Sequence, residues 1–137
     1  MKPATHKLIL SVLVVFANIW SIRAQSFPDG NHYAVTLIPE TPDIISSSWT
    51  KDTFIFESGK MHCTIMKRRE GFKAASYNPT SNNADETQGT KFIYESANRY
   101  GSTLKIEGTA QSNSVEGTAT WTDDNGEHTY TFSGKLL

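Results

Sequence analysis

Hydrophobic and polar positions alternate strictly through three successive runs between residues 102 and 136. Leu104, Ile106, Gly108 and Ala110 share one face of the run 102–110. Val115, Gly117, Ala119 and Trp121 do so in 115–121, and Tyr130, Phe132, Gly134 and Leu136 in 128–136. The opposite faces carry Lys, Glu, Thr and Ser. A period of two held through three runs predicts half-buried antiparallel strands, because successive side chains of a strand point to opposite sides. The separators are Gln111-Ser112-Asn113-Ser114 and Asp123-Asp124-Asn125-Gly126. The second ends in Asn-Gly, a strong hairpin signal because tight hairpin turns demand positive φ.

Upstream the pattern continues less regularly. Residues 32–38 read as a strand with Tyr33, Val35 and Leu37 on one face, ended by Pro39 and Pro42, since proline removes ladder donors. Residues 53–57 and 60–66 flank Ser58-Gly59 and read as a hairpin that sets Phe54 and Phe56 on the side of Met61, Cys63 and Ile65. Lys67-Arg68-Arg69-Glu70-Gly71 reads as a charged turn, with an anion-binding loop as the sharper alternative. Residues 72–77 form a weaker strand, with Phe72, Ala74 and Ser76 on one side. The polar stretch 78–89 reads as a surface loop, and 90–96 as a strand aligning Phe92 and Tyr94. Residues 43–51 lack a clean period. A short helical turn there would put Ile44, Ile45 and Trp49 on one side and could plug the end of a barrel; a plain loop is the alternative.

About eight strands joined by local connections predict an all-β fold, an antiparallel up-and-down meander closed into a small barrel. Closure removes exposed sheet edges. A β-sandwich is the alternative, but sandwiches use longer crossovers. The small inward residues Gly108, Ala110, Gly117, Ala119 and Gly134 suit a strongly curved sheet.

The first residues stand apart from this pattern. Lys2, His6 and Lys7 precede the apolar run Leu8–Ala17, and Ala24 follows. A basic start, a short apolar run and a small residue describe a secretory signal peptide over 1–24, leaving a single barrel domain at 25–137. The run falls short of the roughly 20 residues of a membrane span; an uncleaved anchor is the alternative. The expected location is therefore periplasmic or extracellular, with no membrane span after cleavage. Removing Lys2, Lys7 and Arg23 leaves ten basic against fourteen acidic residues, a formal charge of −4. Such a domain suits neither nucleic acid nor anionic membranes, which call for a basic surface. The lone Cys63 can form no internal disulfide. It reads as a buried small hydrophobe, with a reactive thiol as the alternative.

Candidate chemistry is sparse. His32, His62 and His128 lie on three strands and read as outward, with no ligand set at metal spacing, so no metal site is expected. Glu57, Glu107 and Glu116 also read as outward, and no nucleophile, phosphate-loop or dinucleotide motif occurs. No catalytic residue, cofactor or enzyme activity is expected. An eight-stranded barrel either fills itself with side chains or holds one small ligand. Phe54, Phe56, Phe92, Tyr94, Trp121, Tyr130 and Phe132 are the candidate ligand-binding wall, and the inward Gly and Ala residues would leave the space. A dry, interdigitated core is the alternative.

The segments Asp52-Thr53-Phe54-Ile55-Phe56-Glu57-Ser58-Gly59-Lys60-Met61, Gly71-Phe72 with Tyr77, and Glu116-Gly117-Thr118-Ala119-Thr120-Trp121 resemble a group of small exported bacterial proteins. The resemblance covers most of the chain after residue 24 and implies a lipocalin-like or avidin-like barrel without an assigned biochemical role. The lipocalin G-x-W is missing, because Ser47-Ser48 precedes Trp49, and no avidin ligand pattern is present. No ligand is therefore carried over. The function expected is a non-catalytic exported barrel binding a small hydrophobic or amphipathic molecule. The alternative is a protein-binding module, such as a hydrolase inhibitor, acting through 67–71 and 78–89.

Overall fold

Eight antiparallel strands follow one another in chain order around a closed barrel. They are β1 (His32–Pro39), β2 (Lys51–Glu57), β3 (Lys60–Cys63), β4 (Ala75–Pro79), β5 (Thr90–Ala97), β6 (Thr103–Ala110), β7 (Ser114–Asp123) and β8 (Gly126–Leu136). The computed structural model describes residues 27–79 and 89–137, so the signal-peptide reading and most of the 78–89 loop lie outside the described residues. Among the described residues no helix is long and apolar enough to cross a membrane.

Register explains why the alternating pattern builds one core. In the β6–β7 hairpin Leu104 faces Trp121, Ile106 faces Ala119, Gly108 faces Gly117 and Ala110 faces Val115, so every apolar position lies on the same side. A slip of one residue would turn all of them to solvent. β8 then pairs with β1 through Val35–Gly134 and Leu37–Phe132, which closes the sheet and excludes the sandwich.

The glycines of these strands permit close approach and leave no free room. A methyl group built on Gly117 would run into the carbonyl oxygen of Glu107 and come within 2.6 Å of Gly108 Cα. On Gly134 it would lie 2.5 Å from Val35 Cγ1, and on Gly108 2.9 Å from the Phe132 ring and 3.2 Å from Phe92. The space expected above Gly108 is thus filled by phenylalanine. At the β2–β3 turn Ser58 and Gly59 both take positive φ, 54° and 75°, as a two-residue hairpin link with right-handed strand twist requires.

Because the meander alternates direction, the β1–β2, β3–β4, β5–β6 and β7–β8 connections gather at one end of the barrel. Here the structure departs from the sequence pattern. β3 stops at Cys63, and Thr64–Glu70 is a helix, α1, where a strand continuation and a charged turn were expected. Met66 through Glu70 are good helix formers, and Gly71 at φ 76° ends the helix in the left-handed conformation. The deciding group is remote in sequence. Asp52 accepts hydrogen bonds from the backbone N–H groups of Ile65 (2.8 Å) and Met66 (3.3 Å), supplying the cap that Cys63 lacks. The following strand starts only at Ala75, with Tyr77 inward, whereas Phe72 is buried ahead of it. A single 3-10 turn, Ser46–Ser48, carries Trp49 into full burial, but Ile44 is 92% exposed and does not join it. Leu136, expected inward, emerges partly exposed near the end of β8.

Replacing Gly117 by Ala should lower stability by about 1–3 kcal/mol, because the obstacle is backbone that cannot turn aside; urea unfolding midpoints measure this. Asp52→Ala should cost about 3 kcal/mol by leaving buried donors unpaired, with loss of helical ellipticity from α1.

Candidate functional site: the helical end of the barrel

All seven residues of the expected aromatic wall point into the barrel and are buried. They do not form one surface. Phe56 stands edge-on to Phe92 and Tyr77, each at 5.1 Å between ring centres, and to Tyr33 at 5.8 Å. Phe54 stands edge-on to Phe132 at 5.0 Å. Edge-to-face contact satisfies the ring quadrupoles and fills space, so these four phenylalanines behave as core. Tyr94 donates its hydroxyl proton to the Lys73 carbonyl at 3.0 Å, and burial pushes its pKa up; it ties β5 to the 71–74 segment.

Trp121 and Tyr130 differ. Trp121 faces His128 across the β7–β8 ladder and Ala119 faces Tyr130, so the two aromatics are diagonal neighbours on the inner face beside a small residue. Trp121 Nε1 and the Tyr130 hydroxyl are both buried and find no hydrogen-bond partner among the described residues. Buried polar groups are normally satisfied, so each unmet group calls for an explanation. Burial pushes the Tyr130 pKa up to about 12, with the negative charge of Asp43 adding to it, so the phenol stays a neutral donor. Ring contact with Trp49 at 4.9 Å covers Tyr130 from the 3-10 turn.

This end is held shut by polar contacts. Besides α1, Asp52 accepts from Trp49 Nε1 at 3.0 Å and from the Thr53 N–H at 2.7 Å. Burial nonetheless raises the pKa of Asp52 above its usual value, outweighing those hydrogen bonds. Arg69 of α1 donates to the Ser48 carbonyl and to Ser48 Oγ, each at 3.2 Å, linking helix to 3-10 turn. Asn98 Nδ2 donates to the Glu70 carbonyl at 2.9 Å.

His128 corrects the sequence reading. It lies on the face of Tyr130 and Phe132 and is buried, where an outward position was expected. Its Nδ1 lies 2.9 Å from Asp43 Oδ2 and its Nε2 3.1 Å from Asp123 Oδ1. Burial is the largest single influence and lowers its pKa, but the hydrogen bonds and charges of Asp123 and Asp43 together raise it above the ordinary value. Asp43 is held down to about 2, chiefly by the backbone N–H and hydroxyl of Ser46 and further by His128. The carboxylates sit on opposite ring nitrogens, so the trio does not converge on one ion. Among the described residues no group of three or more His, Cys, Asp or Glu side chains is arranged to hold a metal. His32 is exposed and His62 half-buried. Cys63 is buried, and desolvation, then the charge of Asp52, pushes its thiol well above the usual value; it is held as an inert thiol.

Sequence reasoning missed Asp43, Asp52 and His128 as parts of this end. The parity of their strands carries a signal for two of them: Asp52 is two residues before Phe54, and His128 two before Tyr130.

Tyr130→Phe removes an unmet buried hydroxyl while keeping the ring against Trp49. The ligand-free variant should therefore be more stable by about 1 kcal/mol, read from urea unfolding. A loss of stability would show that the hydroxyl is already bonded in solution.

The closed eight-stranded antiparallel meander is compatible with a lipocalin-like fold. No family model matches the chain, and comparison with curated proteins and with solved structures gives no match.

Proposed function

We propose that the protein is an exported, non-catalytic barrel that binds a small amphipathic molecule at its helical end. The observation that carries this reading is the pair of buried, unpartnered groups, Trp121 Nε1 and Tyr130 OH, on one inner face beside Ala119. An indole N–H can only donate, and a neutral phenol donates readily. The ligand that satisfies both carries a hydrogen-bond acceptor, such as a carbonyl, ether or hydroxyl oxygen, on an apolar body. Apolar sites with a few fixed polar groups are the common form of small-molecule sites. The resemblance of the Asp52–Met61 and Glu116–Trp121 segments to small exported bacterial barrel proteins supports an exported barrel, as does the apolar run Leu8–Ala17, and carries no ligand.

A second reading, a protein-binding module, draws on one surface feature. Arg68 and Lys73 line a recess with Arg99 and Tyr100 between α1 and the β5–β6 turn, and none of the three cations pairs with a carboxylate among the described residues. An acidic protein segment would suit that recess.

Native mass spectrometry of protein purified from its source should show a co-purifying molecule below about 1 kDa, the size range that one small barrel accommodates, and a solvatochromic hydrophobic dye should brighten on binding. Trp121→Phe and Tyr130→Phe should each weaken binding of the dye or of that molecule about five- to tenfold, the loss of one hydrogen bond. Absence of both a co-purifying molecule and a dye response overturns the reading. Retention of a protein partner that is lost on Arg68→Glu would favour the second.

A further inference from the structure

We infer that His128, clamped between Asp43 and Asp123, is a pH-operated latch that holds residues 40–48 over the Trp121–Tyr130 end of the barrel and releases them when the imidazole loses its proton. The latch is a property of the fold; its role in controlling ligand access rests on the binding reading above.

The geometry makes two demands on one ring. Asp43 Oδ2 approaches Nδ1 at 2.9 Å and Asp123 Oδ1 approaches Nε2 at 3.1 Å. An ionised carboxylate only accepts hydrogen bonds, and a neutral imidazole has a single N–H to donate. Both contacts are therefore satisfied only by the imidazolium. In the neutral ring one nitrogen lone pair faces a carboxylate oxygen, and one contact turns from attraction to repulsion.

The two carboxylates are not equivalent in what they hold. Asp123 is fixed on β7, where Oδ1 also accepts from the Asn125 N–H at 2.8 Å within the β7–β8 turn. Asp43 belongs to the connection between β1 and β2, and its other oxygen organises the 3-10 turn through the Ser46 N–H (2.6 Å) and Ser46 Oγ (2.8 Å). Losing the His128–Asp43 contact therefore frees a preformed unit. That unit is otherwise tied near Asp43 by the Glu40 N–H to the Thr129 carbonyl at 2.8 Å, and farther on by Arg69 to Ser48 and by Trp49 Nε1 to Asp52. Trp49, at its far edge, is the ring that covers Tyr130.

The charged groups around the ring act in one direction. Asp43 faces it from the 40–48 segment and Asp123 from β7, while Trp121 lies beside it at 5.9 Å and Tyr130 follows on the same face of β8 as a neutral phenol. Glu127, the chain neighbour, is exposed. Arg69 of α1 is directed to Ser48. Two carboxylates against one imidazole favour the protonated state. The raised pKa means that the stabilisation by His128 is complete below its ordinary value of 6.5 and is lost as pH climbs through the raised value. Asp43, depressed to about 2, contributes above its ordinary 3.8 and down to strongly acid pH. The latch is thus closed in mildly acid solution and opens as pH rises through the raised His128 value.

Hydrogen exchange on the ligand-free protein tests the latch directly. Protection factors, which divide out the intrinsic rate, are measured for the Ser46, Ser47, Ser48 and Trp49 amides from pH 5 to pH 9. They should fall by up to about tenfold per pH unit across the window between the open and closed His128 pKa values, while the Ile106 and Ala119 amides stay unchanged. Asp43→Asn is the informative variant. Its Oδ1 still accepts from Ser46, and its amide can donate to a neutral ring, so protection of the segment should no longer fall as pH rises. Asp123→Asn is not equivalent, because the oxygen that faces Nε2 also accepts from the Asn125 N–H; unchanged Ile106 and Ala119 protection in Asp43→Asn guards against a folding defect. Unchanged protection in the wild type, or Asp43→Asn with the wild-type pH profile, overturns the latch. In parallel, dye association should quicken with pH in the wild type and stay flat in Asp43→Asn. A pH-dependent segment with no dye binding at any pH keeps the latch and removes the binding reading.

Discussion

One buried carboxylate decides how this barrel ends. Asp52 sits on the inner face of β2 and accepts four hydrogen bonds, from the Trp49 indole, its neighbour Thr53, and the first free amides of α1 at Ile65 and Met66. Each bond recruits a different piece of chain. The indole brings in the 3-10 turn, and the two amides stop β3 after Cys63 and start a helix in its place. Burying a carboxylate is costly, and the four donors offset that cost only in part, so burial still raises the Asp52 pKa. Together these four contacts make the cap over the helical end.

The body of the barrel follows a different constraint, close backbone approach. Gly108 and Gly117 face each other across β6 and β7, and Gly134 lies against Val35 at the β8–β1 seam. At these points any side chain would meet main chain. The sheet can curve tightly there, and the phenylalanines at 54, 56, 92 and 132 fill what the curvature encloses. Edge-to-face packing at about 5 Å leaves them little freedom.

The helical end gathers one set of polar side chains. Asp43, Asp52, Asp123, His128, Tyr130 and Trp121 all lie near the 3-10 turn and α1, and all but Trp121 Nε1 and Tyr130 OH have partners. A region so well satisfied elsewhere makes the two unmet groups informative. It also couples them to His128, which lies opposite Trp121 and two residues from Tyr130, and to the segment that Asp43 anchors.

Strand periodicity alone determined the meander, the inward faces of β5 to β7, the interior placing of Tyr130 and Phe132 on β8, the Ser58-Gly59 turn and the burial of Cys63, because a two-residue period depends on local side-chain chemistry. It also located Trp121 and Tyr130 on the interior. Only the tertiary structure decided that Phe54, Phe56, Phe92 and Phe132 pack on one another, that the glycines are closing points, and that residues 64–70 are helical. The apolar run Met61, Cys63, Ile65 looks like continued strand, and the group that converts it is Asp52, more than ten residues earlier. Likewise Asp43 and His128 lie far apart in the chain and meet only because β8 returns beside β1. Contacts between distant residues leave no periodic trace in sequence, and both the cap and the latch are made of such contacts.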